Sequence, residues 1–144
     1  MIVEIMSRTG IEVFSRQEHM EKIAVISISD IDKESPYIFN NPANGIIEQL
    51  RLHFDDVDLG QPNCITEEIA GRIAAYIFSL QNVVDKIIVH CEAGISRSAG
   101  VGAAIMKYLC DDDWAVFANP RFRPNMICYR KVLNALHDCE ARNT

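Results

Sequence analysis

A cysteine and an arginine, Cys91 and Arg97, stand at the two ends of the segment "CEAGISR", with five residues between them. Ser98 follows directly and His90 precedes. A thiolate is a strong nucleophile, and a guanidinium is a planar fork that fits two oxygens of a phosphate. Ala93 and Gly94 let the backbone come close to a ligand. Where such a segment leads from a strand into a helix, its free backbone N–H groups converge on one spot and the helix dipole adds positive potential there. The centre of that ring suits a dianion, cradled by the backbone of Glu92, Ala93, Gly94, Ile95 and Ser96 and gripped by Arg97. Cys91 would lie at its floor, where the same donors favour thiolate over thiol. A thiolate beneath a bound phosphoryl group is aimed at phosphorus. The Ser98 hydroxyl can hydrogen-bond that sulfur and ease its later departure, and His90 is assigned a structural hydrogen-bonding role at the base of the loop.

The flanking sequence supplies the elements such a loop needs. "KIIVH", 86 to 90, reads as a buried strand ahead of it, and 97 to 109 reads as a long, nearly uncharged helix behind it. A Cys and an Arg at this spacing recur by chance. The small residues between them, the hydroxyl after them and these two flanking elements give the pattern its force. Residues 1 to 6 and 23 to 29 read as further strands, the second a β-branched run typical of a strand covered on both faces. "LRLHF", 50 to 54, alternates like a half-buried strand. Residues 15 to 22 read as a short helix with Ser15 as its N-cap, and 30 to 46 as loop. Thr66 caps a helix whose buried stripe is Ile69, Ile73, Ile77 and Leu80. Pro124 suits the first turn of a last helix with Tyr129, Val132, Leu133 and Leu136 on its buried side. Trp114, the only Trp, is expected to be a packing anchor. Strands alternating with helices predict a three-layer α/β domain with a mainly parallel central sheet and helices on both faces, spanning 1–144 as one unit. Ligands of such sheets bind beyond the carboxyl ends of the strands, where the Cys91 loop falls.

Composition narrows the classes further. The chain has 144 residues and a net charge of −6, which argues against a broad electrostatic grip on nucleic acid or an anionic membrane. A single loop can still be electropositive. Five cysteines, widely spaced and without a CxxC pair, indicate neither a disulfide framework nor a zinc site. No metal site is expected. No signal-peptide pattern opens the sequence and no apolar run reaches spanning length, so the cytoplasm is the expected location. A monomer is the default expectation.

"HCEAGISRSAG", 90 to 100, resembles the His-Cys-(five residues)-Arg-Ser/Thr signature of the cysteine-dependent protein tyrosine phosphatase superfamily. Ala93 to Ile95 look like the loop of its tyrosine-specific members. The short chain and its layout look more like the dual-specificity branch, whose Pro-Asn helix start "RPNMICYRKVL", 123 to 133, resembles. The resemblance covers roughly 50 to 136 and implies the phosphotyrosine protein phosphatase-like fold. It also implies a phosphorylated protein as substrate and no cofactor. It calls for a general acid, an Asp on a mobile loop upstream of the Cys. Asp55, Asp56 and Asp58 stand there. If the strand runs on, parity puts Leu52, Phe54 and Asp56 on one side and Asp55 on the other, so Asp56 is chosen, then Asp58, which shares its parity, then Asp55. Glu92 departs from the Ser of the tyrosine-specific members, and the lysines usual in the lipid-phosphatase branch are missing from this loop. The second-step glutamine of the tyrosine-specific members has no visible counterpart.

The expected reaction is therefore hydrolysis of phosphotyrosine, with phosphoserine and phosphothreonine open as further substrates, through a phosphocysteine. Cys91, Arg97, Asp56 and Ser98 carry the chemistry. Two other classes share parts of this pattern. A non-catalytic pseudophosphatase would keep Arg97 and the cradle but lose Cys91 or the acid, and both are present. A rhodanese-like sulfurtransferase would use the loop cysteine but would leave the upstream Asp and Ser98 without work.

Overall fold

Every residue of the β-branched run Ile23–Ser29 is buried. Its position in the sheet explains why. The computed structural model describes residues 1–143. In chain order it contains β1 (Ile2–Met6), α1 (Arg8–Phe14), β2 (Ile23–Ser29), β3 (Ile46–His53), α2 (Glu67–Leu80) and β4 (Lys86–His90). Then come α3 (Arg97–Cys110), α4 (Trp114–Phe117) and α5 (Met126–Arg142). The strands lie in the order β1-β4-β2-β3, and each neighbouring pair is parallel. β2 and β4 are central, so both of their faces are covered and both are mostly apolar, with Ser27, Ser29 and His90 as their buried polar residues.

Alternate side chains of these strands enter two separate cores. Ala24, Ile26, Ile87 and Val89 join the larger one, under α2, α3 and α5. Val25 and Ile88 point the other way, to Ile11 of α1 and Ile38 of the long loop after β2. Helices thus cover both faces, and the three-layer α/β arrangement expected from the sequence is the one observed. Because all four strands run the same way, their carboxyl ends share one edge. The segments that follow Met6, Ser29, His53 and His90 gather there.

Several local expectations are corrected. The first helix is Arg8–Phe14, capped by Ser7, whose side chain accepts from the Gly10 N–H. Ser15 closes that helix instead of opening another, and its hydroxyl donates to the Glu12 carbonyl. Residues 15 to 22 offer no apolar stripe to bury, and Met20 stands fully in solvent. β3 starts at Ile46, inside the stretch read as loop, because Ile46 and Leu52 are its buried residues and the middle is polar. Pro124 lies just outside α5, whose N-cap is Asn125. Trp114 is not an anchor: it is 73% exposed on the one-turn α4. Within the described residues no helix is long and apolar enough to cross a membrane.

Candidate active site

The loop after β4 is held from outside by its carbonyls. The Arg8 N–H donates to the Glu92 carbonyl, Arg123 N–H to that of Ile95 and Asn125 N–H to that of Ser96, each at 3.0 Å. With those carbonyls turned outward, none of the N–H groups of residues 92–96 donates to another backbone group among the described residues. Gly94 makes this turn possible. Its φ is +70°, and a Cβ there would meet the Ser7 nitrogen at 2.6 Å and the Met6 carbonyl carbon at 2.7 Å. No side chain caps the N-terminus of α3, because the hydroxyl of its N-cap residue Ser96 is used elsewhere. The result is a ring of free donors at the positive end of a helix, which is anion-binding chemistry.

Cys91 lies at the base of this ring, 3% exposed, with its sulfur 3.1 Å from the Ser98 hydroxyl. Arg97 is 5% exposed, and one nitrogen, Nη1, makes both of its contacts: 2.7 Å to Asp30 Oδ1 and 2.9 Å to the Phe54 carbonyl. Nη1 is thereby occupied, leaving Nε and Nη2 as the pair able to grip an anion bidentately. Glu92, Ala93 and Ile95 are exposed, Ser96 is partly so, and Gly94 is buried against β1. The carboxylate of Glu92 is thus on the surface.

The three acidic candidates separate cleanly. Asp56 Oδ1 accepts from the Ser96 hydroxyl at 2.8 Å and from Asn125 Nδ2 at 3.0 Å. It is the carboxylate brought against the Cys91 loop. Asp55 braces its own loop: its oxygens accept from the Ile31 N–H and from Asn63 Nδ2, and its N–H donates to the Asn63 carbonyl. Asp58 is exposed, and its carbonyl takes the Gln61 N–H. Asp56 and Val57 form a ridge between two open depressions, one lined by Asp58, Ser96 and Arg130, the other by Asp30, Asp32 and Asn63.

His90 is buried behind the loop. Gln49 Nε2 donates to the Ser27 hydroxyl at 2.8 Å, so the Ser27 O–H is free to donate to His90 Nε2 at 2.6 Å. Nδ1–H then faces the Cys91 carbonyl at 3.3 Å. This is a neutral imidazole, and burial pushes its pKa down to about 4. Burial also pushes the Cys128 thiol up to about 12. Cys128 packs where α5 passes Gly100 of α3, and it is an inert thiol rather than a second nucleophile.

Two residues of this site escaped the sequence reading. Asp30 was one of many acidic residues in a turn-rich stretch, and no local pattern links it to Arg97. Asn125 carried a usable signal, an N-cap residue type at a helix start after Pro124, but its second role as a donor to Asp56 is a long-range contact.

No family model matches the sequence. Solved structures do resemble the fold. Human DUSP28 superposes with a TM-score of 0.63 at 15% identity, covering 97% of this chain and 94% of that one. PTPMT1, solved in complex with PI(5)P, gives 0.55 at 22% identity, with 84% and 80% covered. A mouse putative dual specificity phosphatase complexed with zinc tungstate gives 0.54 at 15% identity, covering 85% and 74%. The chain therefore has the α/β fold of the dual-specificity phosphatases.

Proposed function

We propose that this chain is one phosphatase-like domain that hydrolyses phosphomonoesters on protein, phosphotyrosine first, with phosphoserine and phosphothreonine as further substrates. The observation that carries this reading is the 2.8 Å hydrogen bond from Ser96 to Asp56, which sets a carboxyl group against the loop that holds the thiol. Cys91 attacks phosphorus as the thiolate, forming the S–P bond while the ester O–P bond breaks. Asp56 gives its proton to the leaving oxygen. Arg97 and the N–H groups of residues 92–97 stabilise the charge on the equatorial oxygens. Water then attacks the phosphocysteine, Asp56 takes its proton, and Ser98 hydrogen-bonds the departing thiolate. Thiolate, guanidinium and carboxyl cover each step without a metal or an organic cofactor.

Phosphoprotein is preferred over an inositol phospholipid despite the PI(5)P complex of PTPMT1. No lysine lies between Cys91 and Arg97, and the exposed Glu92 repels a second phosphate. The pseudophosphatase reading is weakened by a thiol and a carboxyl that both reach the loop. The expected location is the cytoplasm and the expected state a monomer.

The test is hydrolysis of p-nitrophenyl phosphate in EDTA. Wild type turns it over, and Cys91→Ser leaves no measurable rate. Turnover that survives in Cys91→Ser, or that needs added metal, would sink the thiolate mechanism. A folded, reduced wild type that binds phosphotyrosine peptide without turnover would put the pseudophosphatase in its place.

A further inference from the structure

Asn125 stands where three segments meet. Its Oδ1 caps α5, accepting from the N–H groups of Ile127 at 3.0 Å and Cys128 at 3.1 Å. Its backbone N–H holds the Ser96 carbonyl of the Cys91 loop. Its Nδ2 reaches across to the acid loop, to Asp56 Oδ1 at 3.0 Å and the Val57 carbonyl at 3.3 Å. A helix cap needs only an acceptor oxygen, and Ser or Asp supplies one as well as Asn does. The amide nitrogen does nothing for the cap. At this position it ties the acid loop instead.

The geometry at Asp56 is one-sided. Ser96 Oγ and Asn125 Nδ2 both converge on Oδ1, whereas Oδ2 has no hydrogen-bond partner among the described residues. Donors crowd a carboxyl oxygen that carries no proton, so the proton belongs on the other oxygen. We propose that Asn125 is a positioning residue for the general acid. It fixes residues 56 and 57 against the anion loop and leaves Oδ2 as the oxygen that delivers the proton. This rests on the reading of Asp56 as the acid.

Two aryl phosphates provide the test. p-Nitrophenolate leaves readily without a proton, and phenolate leaves poorly. Wild type is expected to show similar kcat/KM on both, the parameter that reports the first step alone. Asn125→Ser keeps the cap acceptor and loses the donor to Asp56. Its kcat/KM on phenyl phosphate should fall at least ~10-fold, and on p-nitrophenyl phosphate less than ~3-fold, since a placed acid contributes about 10² or more to expelling a poor leaving group. A purely structural role would lower both rates together. Asn125→Asp also keeps the cap but sets a like charge beside Asp56, and the basic limb of its kcat/KM–pH profile should move to higher pH.

Asp56→Asn is run alongside. Leaving-group dependence in Asp56→Asn but not in Asn125→Ser would overturn the positioning role and leave the acid assignment standing. Dependence in neither variant would overturn both. Should Asn125→Ser fail to fold, Asn125→Asp carries the test, and an unmoved pH limb overturns the proposal.

Discussion

The two faces of the sheet are built by different means. Under α2, α3 and α5 the core is a continuous apolar cluster, filled by helix stripes such as Ile73 and Ile77 or Val132 and Leu136. On the α1 face the apolar cluster is small, and polar side chains do much of the holding. Buried Asn44 donates to the carbonyls of Ser15 and Ile38 and accepts from the Ile46 N–H, tying the irregular chain after β2 to α1 and β3. Gln49, Ser27 and His90 form a hydrogen-bonded chain in the same layer. One face relies on non-directional burial, the other on satisfied hydrogen bonds. The first tolerates changes of shape better than loss of volume, and the second tolerates neither loss of a partner nor a change of charge.

That contrast can be sharpened by measurement. The largest effect is expected from Ile77→Ala, which removes a fully buried side chain from the large cluster. Urea denaturation should show about 4 kcal/mol lost, and a loss below about 1 kcal/mol would mean that this face repacks freely. Next comes Asn44→Ala, which strands three buried backbone groups. About 3 kcal/mol should go, although almost no apolar area is lost. Asn44→Asp should fare little better, since a carboxylate cannot donate to the Ser15 and Ile38 carbonyls. If either variant matches wild type, the polar face is not held in the way described.

The third prediction belongs to His90. Its folded pKa lies near 4 and that of the unfolded chain near 6.5, so between these values the unfolded state binds the extra proton. Stability from this group is full above pH 6.5 and is lost as pH falls toward 4, by at most roughly 3 kcal/mol. His90→Gln should flatten that part of the stability–pH curve. An unchanged curve would mean that His90 is not the group being titrated.

The same contrast decides what could be read from the sequence. Periodic apolar stripes announce α2, α3 and α5, and β-branched runs announce β2 and β4, because burial against a regular surface imposes a regular pattern. The α1 face has no such pattern. Its loop is fixed by Asn44 and Asn40 bonding to groups far along the chain, so the helix at 8–14 was missed and one was expected at 15–22. The site divides likewise. Cys91, Arg97 and Ser98 sit in one contiguous motif, whereas β3 ends at His53, so strand parity does not extend to Asp56, which meets the loop through Ser96 instead. Asp30 and Asn125 reach the motif only through the fold.

The three backbone ties on the Cys91 loop also bear on the order of events during synthesis. They come from Arg8, near the start, and from Arg123 and Asn125, near the end. A ribosome that has delivered the motif itself has delivered only part of what shapes it. Until Asn125 has emerged, the loop lacks at least one of its three backbone ties, beside parallel strands whose pairing is itself non-local and slow. The loop's final shape is thus completed late, and a chain stalled before residue 123 would hold the motif intact with only one of its three backbone ties.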